Sequence, residues 1–294
     1  MENLIALFNF GFFRNAFLAA FIASVTCGII GTYIVSRRIV FISGGITHAS
    51  FGGIGMGYYF GFDPIVGAIA FGILSALGIE FFTKRADLRE DSAIAMLWSF
   101  GMALGVIFIF LTPGYAPNLM SYLFGNILTV SKGDLISLFL LAIFVIGFFV
   151  IFYRMIIFVS FDEEFAMTNN APVRLFNALL ISLVALTIVL NIRVVGIILV
   201  MSLLTIPQAI ANLFTKRFDM MMIWSIAFGF LGSVTGLALS YIYDIPSGAS
   251  IIFTLVVLYG LIKSIFLLFG KVNLQQKEKG RLRNSVLSQF PPEK

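Results

Sequence analysis

Apolar runs of about 17–25 residues, separated by short charged islands, recur along nearly the whole chain. Runs of this length are what an α-helix needs to cross the hydrocarbon core of a bilayer. Charged residues make up only 11% of the 294 residues, and hydrophobic residues make up 60%. The runs are continuous rather than alternating, which favours helices over strands. The sequence therefore predicts an all-α, polytopic transmembrane helical bundle embedded in a lipid bilayer.

The breaks between the apolar runs predict about nine crossings. Segment 117–130 is too short and too polar to count as another crossing. We predict that it forms a re-entrant or interfacial helix, because irregular backbone is tolerated at membrane depth only where protein surrounds it. The nine predicted spans are 12–35, 39–60, 63–83, 92–111, 134–153, 176–192, 194–213, 220–241 and 246–268.

The basic residues favour an outer N-terminus and an inner C-terminus. With nine spans, sixteen of the 19 lysines and arginines lie on the inner side, and Arg14, Lys132 and Arg193 lie on the outer side. Such an excess is typical of cytoplasmic loops. It also accounts for the net charge of +5 without a nucleic-acid partner. We divide the chain into a transmembrane domain, residues 1–270, and a basic cytoplasmic tail, residues 271–294.

Motifs typical of enzymes are absent from the sequence. The chain has no G-x-x-x-x-G-K-[ST] phosphate loop, no H-E-x-x-H zinc motif and no G-x-S-x-G nucleophile motif. Its single cysteine, Cys27, cannot form an intramolecular disulfide. We therefore expect that the chain is not itself an enzyme.

The only histidine of the chain, His48, lies in a glycine-rich part of the second predicted span. An imidazole is costly to bury in a membrane and is also a common ligand for transition metals. The hydroxyls of Thr47 and Ser50 flank it in the sequence. Two interpretations follow from the residues alone: His48 is a metal ligand along a pathway, or it bonds a neighbouring carbonyl within the helix packing.

Small residues recur at every fourth position of this span. A stripe of small residues on one helix face lets two helix backbones approach closely. The sequence therefore predicts a helix contact along this face. The stripe consists of Gly45, Ala49, Gly53, Gly57 and Gly61.

Two aspartates, Asp63 and Asp244, lie at the predicted outer helix ends, each close to a proline. This arrangement favours helix N-caps, which the helix dipole stabilises. Capture of a metal ion at an outer vestibule is the alternative interpretation.

A polar interruption over residues 160–174 predicts a short amphipathic helix at 162–169. Asn170 can adopt the left-handed conformation that ends a helix, and Pro172 blocks its continuation. An acidic and apolar helix on a cytoplasmic face is either a solvated loop or a docking element for a partner. Its candidate docking residues are Asp162, Glu163, Glu164, Phe165, Ala166 and Asn170.

Pro207 lies thirteen residues into the seventh predicted span. A proline at such a position frees a backbone carbonyl and kinks the helix. Gln208 and Asn212 are four residues apart and would share a face, so that they serve either helix packing or a polar pathway.

These features, in this order, resemble the membrane permease subunits of zinc, manganese and iron importers of the ATP-binding-cassette class. The motif in that family has a basic pair, then Gly-Asp-x-x-[ST]-His-Ala and a glycine-rich run. The resemblance covers roughly residues 12–270. The segments that carry it are 37–57, 91–105, 123–128, 164–166, 194–207 and 246–249.

The resemblance implies a homodimeric permease in a bacterial plasma membrane, or inner membrane. Its cargo would be a divalent zinc, manganese or iron ion, with no permanently bound cofactor. An extracytoplasmic metal-binding protein would deliver the ion near Asp63, Asp134 and Asp244. Separate cytoplasmic ABC ATPase subunits would dock on the coupling segment around residues 162–170.

The chain departs from the family pattern at Gly44, where an aspartate usually precedes the histidine by four residues. A hard anionic ligand is therefore missing, and two copies of His48 across a dimer axis would favour Zn(II) over Mn(II). Asn170 stands where the coupling segment usually ends in glycine. A permease for iron chelates or cobalamin-like ligands, and a membrane scaffold that transports nothing, are the alternative functions.

Overall fold

A computed structural model describes residues 9–85, 88–113, 125, 127–161, 163–168 and 172–289 of the chain. Within these residues the chain is helical and contains no strand. The α-helices are α1 (Gly11–Arg37), α2 (Val40–Phe60), α3 (Pro64–Arg85), α4 (Glu90–Leu111), α5 (Lys132–Ile151), α6 (Tyr153–Phe161), α7 (Glu163–Thr168), α8 (Val173–Val195), α9 (Ile197–Leu203), α10 (Ile206–Phe214), α11 (Phe218–Tyr243) and α12 (Ser247–Gln289). A short 3₁₀ turn, Ile127–Thr129, precedes α5.

Eight helices of the described chain are long and apolar enough to cross a membrane, when α9 and α10 are taken together as one span. Helix α2 is 21 residues long, but its glycines and His48 make it less apolar than these eight. With α2 the count agrees with the nine crossings predicted from the sequence. Most of segment 117–130, for which a re-entrant or interfacial helix is predicted, lies outside the described residues.

Helix α2 packs between α3 and α4, and α8 packs against α3. Helix α1 contacts α5 and α11, and it is the most deeply buried of the eight most apolar spans: 72% of its most apolar window is buried, against 11% for α12. Alanines make this burial possible, because Ala16, Ala19, Ala20 and Ala23 let neighbouring helices approach α1 closely.

The start of α5 and the end of α1 each have a recognisable helix cap. Ser131 and Asp134 form a capping box at the start of α5, in which each side chain bonds the backbone N–H of the other. Arg38 ends α1 in the left-handed conformation, with φ of 60°. The backbone of α12 continues as a helix to Gln289, past the predicted start of the tail at residue 271.

Candidate functional site

Helix α2 brings its backbone into direct contact with α4 through pairs of glycines. A Cβ atom at Gly52 would lie 2.9 Å from the carbonyl oxygen of Gly101, and one at Gly55 would lie 2.5 Å from that of Gly105. Real Cβ atoms essentially never approach a neighbour so closely. The absence of side chains is therefore what allows the two helices to meet here.

The predicted small-residue stripe is divided between contacts with α3 and contacts with α4. The backbone of Gly53 meets the backbone of Gly67, and a Cβ at Gly57 would lie 2.5 Å from the Cα of Pro64. Gly45 faces Ile94 of α4, where a Cβ would lie 2.8 Å from Cγ2. Gly61 has a different place, because it ends α2 in the left-handed conformation with φ of 76° and has no neighbour within 4 Å of an added Cβ.

The imidazole of His48 stacks on the indole of Trp98 from α4. The ring centroids are 4.1 Å apart and the ring planes differ by 6°. His48 is partly buried and Trp98 is 36% exposed, so the ring pair lies at the surface of the single chain. The Nδ1 atom of His48 is buried and has no hydrogen-bond partner among the described residues. The packing interpretation requires a hydrogen bond between the ring and a neighbouring carbonyl, and Nδ1 does not make that bond.

Thr47 and Ser50 are fully buried within the helix packing. The hydroxyl of Thr47 donates to the carbonyl of Ser43 at 2.6 Å, and that of Ser50 donates to the carbonyl of Thr47 at 2.7 Å. Both hydroxyls therefore bond their own helix, as such residues commonly do in membrane helices. Their lone pairs remain as acceptors.

Gly44, where the family motif has an aspartate, lies beside Met201 of α9. A Cβ at position 44 would lie 3.0 Å from Cε of Met201 and 3.9 Å from its Sδ. The thioether thus occupies the neighbourhood of the missing carboxylate, one helical turn before His48. A thioether is a softer ligand than a carboxylate.

Asp63 and Asp134 line one cavity of about 160 Å³ at the predicted outer side. The Oδ1 atom of Asp63 accepts a hydrogen bond from the N–H of Ile65 at 2.8 Å, so Asp63 caps α3. The Oδ1 atom of Asp134 lies 2.6 Å from Nε of Arg193, whose side chain is 49% exposed. Both carboxylates are therefore engaged, one by a helix end and the other by a guanidinium and the capping box.

Asp244 does not cap the following helix, which corrects one of the two interpretations drawn from the sequence. It ends α11 in the left-handed conformation with φ of 52°, and α12 begins three residues later at Ser247. Aspartate tolerates this conformation because its short polar side chain bonds locally. Asp244 lines a separate cavity of about 630 Å³ with Tyr241 and Ser247, away from Asp63 and Asp134.

The predicted coupling segment contains the short helix α7 (Glu163–Thr168). Ala166 is buried at 2% exposure, whereas Met167 is 51% exposed. Asp162 and Asn170, and the side chains of Glu163, Glu164 and Phe165, lie outside the part of the chain that the structure describes. Just before the segment, Nη1 of Arg37 donates to the carbonyl of Val159 at 2.6 Å, which ties α6 to the end of α1.

The three residues around the predicted kink all lie in α10 but make different contacts. Pro207 is in the first turn of α10, immediately after a break in the span. Gln208 is fully buried and reaches the backbone of α1, with Nε2 2.8 Å from the carbonyl of Cys27. Asn212 lies at the far end of α10, where its side-chain oxygen accepts a bond from Nζ of Lys216 at 2.9 Å.

Trp98, Met201 and Arg193 are neighbours of the candidate residues that the sequence did not single out. Each meets its partner across a helix–helix contact, which no spacing along the chain reveals. Trp98, one of two tryptophans, was the most detectable of the three. Among the described residues, no three His, Cys, Asp or Glu side chains are grouped so that they could hold a metal ion.

Comparison with known proteins places these features in context. The model of the ABC 3 transport family matches residues 9–266. The manganese transport system membrane protein MntC of Halalkalibacterium halodurans is 33% identical over 265 residues, which cover 89% of this chain and 91% of that protein. A probable metal transport system membrane protein of Chlamydia pneumoniae is 42% identical over 241 residues, or 80% and 82% of the two chains. Among solved structures, PsaBC from Streptococcus pneumoniae in complex with Fab matches with a TM-score of 0.80 at 30% identity, covering 89% of this chain and 94% of that one.

Proposed function

The chain belongs to the ABC 3 transport family as a multi-pass membrane permease of metal transporters, and we propose that it forms the translocation pathway of an ATP-driven importer of divalent metal ions. Permease subunits of this kind are not enzymes. ATP hydrolysis would take place on separate cytoplasmic subunits, and a separate extracytoplasmic protein would deliver the ion. Zinc, manganese and iron are the candidate ions.

The observation that carries the proposal is the buried, unbonded Nδ1 of His48 on a helix with so little side-chain cover. Imidazole nitrogens bind divalent transition metals. A polar atom left without a partner inside a membrane costs free energy, which makes it a candidate for a functional role. The absence of a closed three-ligand group among the described residues also suits transport. An ion that must leave as well as enter is served by weak sites.

We propose that two copies of the chain meet along the face that carries His48 and Trp98. These rings lie at the surface of one chain, and a two-fold axis near them would bring two imidazoles together. Two nitrogen ligands, with Met201 close to Gly44, form a softer environment than one that contains a carboxylate. The proposal therefore ranks zinc ahead of manganese as the cargo.

The ATPase subunits would dock at α7 and its flanking residues. Closure of the ATPases would then move α6 and, through the bond between Arg37 and Val159, the end of α1. At the opposite side, Asp63, Asp134 and Asp244 would lie under the delivery protein, in two cavities rather than in a common vestibule.

Uptake by the reconstituted complex tests the proposal. The purified chain would be placed in proteoliposomes with its ATPase and its binding protein, and zinc, manganese and iron would be offered separately. We expect accumulation of at least one ion that requires ATP and stops when either partner is omitted. Stable assembly with uptake of none of the three ions would contradict a metal importer, and uptake of an iron chelate or a cobalamin-like ligand under the same conditions would identify the alternative.

A further inference from the structure

The span formed by α9 and α10 is interrupted at Leu204 and Thr205, where the backbone leaves the helical path. Thr205 has φ of −128° and ψ of −50°. Two residues later, Pro207 has no backbone N–H, so the carbonyl of Leu203 loses the donor that an uninterrupted helix would give it. In a membrane such a carbonyl has no water to replace that donor.

Three carbonyls at the break have donors that an uninterrupted helix would not use. The hydroxyl of Thr205 donates to the carbonyl of Met201 at 2.8 Å, and the N–H of Thr205 donates to the carbonyl of Ser202 at 3.3 Å. The carbonyl of Leu203 accepts from Nε2 of Gln208 at 3.1 Å. The side chain of Gln208 thus replaces the donor that Pro207 lacks.

The same amide nitrogen also joins the break to a different helix. Nε2 of Gln208 donates to the carbonyl of Cys27 in α1 at 2.8 Å. Both acceptors are backbone carbonyls, so the amide nitrogen, not the oxygen, must face them. Gln208 is fully buried, and its Oε1 atom has no partner among the described residues. Its two donated bonds are therefore the polar contacts that hold it.

Helix α1 is shaped to receive this amide. A Cβ at Gly31 would overlap Nε2 of Gln208, and it would lie 2.7 Å from Cδ of Gln208 and from the carbonyl oxygen of Leu204. Any side chain at position 31 would therefore displace the amide from the break. The contact is built from both helices.

We propose that Gln208 is a positioning residue for transport, which fastens the break between α9 and α10 to α1 and so sets the tilt of α10. Helix α10 runs from the break to the predicted inner surface and packs against α1, α11 and α12. Its angle sets the shape of the inner half of the bundle, whereas α9 packs near α2. This inference rests on the proposed function, because it concerns the movement of an importer.

The test compares Gln208→Leu, which keeps the bulk and removes both donated bonds, with Asn191→Leu. Asn191 is an equally buried amide that also reaches α1, with Nδ2 3.3 Å from the hydroxyl of Thr26, but its other bond is to Thr187 in its own helix, away from the break. In the full complex we expect Gln208→Leu to lower the metal ions moved per ATP hydrolysed about tenfold, with the half-saturating metal concentration within about twofold of wild type. Asn191→Leu should leave both quantities unchanged. Unchanged coupling in Gln208→Leu would overturn the proposal.

A second variant separates positioning from simple stability. Pro207→Ala restores a backbone N–H for the carbonyl of Leu203, so the double variant Pro207→Ala with Gln208→Leu keeps that carbonyl paired and lacks only the link to α1. We expect it to assemble with the thermal stability of the wild type and still to transport poorly. If the double variant recovers wild-type uptake, Gln208 serves only to pair the carbonyl of Leu203, and the proposal is overturned.

The tilt itself is measurable without transport. Spin labels would be placed on Ser36→Cys and Lys216→Cys, near the ends of α1 and α10, with labelled chains diluted by unlabelled ones so that most dimers carry one labelled chain. They should give a single narrow distance in the wild-type background and in Asn191→Leu. In Gln208→Leu the distance should shift or broaden, and an unchanged distance would overturn the proposal. This measurement needs no cargo. An unchanged distance therefore counts against the role of Gln208 alone, whereas a wild-type complex that imports no metal counts against the proposed function.

Discussion

The packing and transport interpretations of His48 predict different hydrogen bonding for its ring nitrogens. A histidine retained for packing would be expected to bond both ring nitrogens when buried, whereas Nδ1 here has no partner among the described residues. Stacking on Trp98 fixes the plane of the ring. A stacked ring with a free nitrogen is suited to hold an ion weakly.

Gly44 is the residue that we expect to set the choice of metal. An aspartate at this position would place a hard carboxylate four residues before His48, on the same side of α2. The new Cβ would lie 3.0 Å from the methyl end of Met201, a flexible group that can move aside. We predict that Gly44→Asp raises the ratio of manganese to zinc uptake about tenfold, or ~1.4 kcal/mol.

Gly44→Asn is the matched control, because it has the same shape without the charge. The ratio is measured with both ions present at equal concentrations. Equal ratios in the Asp and Asn variants would mean that position 44 affects transport only through its volume.

At this scale the sequence predicted residue types better than residue contacts. His48 stood out because it is the only histidine and lies among glycines, but its contact with Trp98 depends on how α2 meets α4. Asp244 was assigned the wrong helix end because an aspartate before a proline fits an N-cap as well as a left-handed C-cap. Local sequence does not distinguish these two ends.

Among the helices, α2 is positioned by backbone contacts rather than by interdigitated side chains. Glycine pairs join it to α4, and Gly53 joins it to Gly67 of α3. Such contacts leave no space for an added methyl group. They hold His48 at a fixed place in the bundle.

The close contact predicts that Gly53→Ala lowers the melting temperature by about 2–12 °C. Overpacking a close contact costs about 1–3 kcal/mol, and each kcal/mol shifts the melting temperature of a chain this size by about 2–4 °C. Gly147→Ala in α5 is the control, because nothing lies within 4 Å of its added Cβ. Melting would be followed by size-exclusion chromatography after heating. Equal melting temperatures for the two variants would contradict the close backbone contact.

The sequence predicted the helices well, since long apolar runs allow few other structures in a membrane. The number of spans followed from composition and spacing. The break at Leu204 and Thr205 did not, because it depends on Thr205 and Gln208 supplying donors across turns and helices. Gln208 and Asn212 remain one turn apart on α10, but Gln208 bonds the backbone of α1 whereas Asn212 accepts a bond from Lys216.

As a whole molecule, one chain leaves the proposed ion site at its surface. His48 and Trp98 are both partly exposed in the single chain, on a bundle whose other exposed side chains are largely apolar. An imidazole facing lipid would be costly, whereas an imidazole facing a second copy would line a shared pathway. The account therefore requires the dimer for function.

The most direct test of this account is ATP-driven metal uptake by proteoliposomes that contain the full complex with His48→Phe. Phenylalanine keeps an aromatic ring to stack on Trp98 and removes both ring nitrogens. The account predicts that uptake falls at least about tenfold, a loss of ~1.4 kcal/mol or more, while the complex assembles and still hydrolyses ATP. Uptake by His48→Phe at the wild-type rate would contradict it and would make His48 a packing residue.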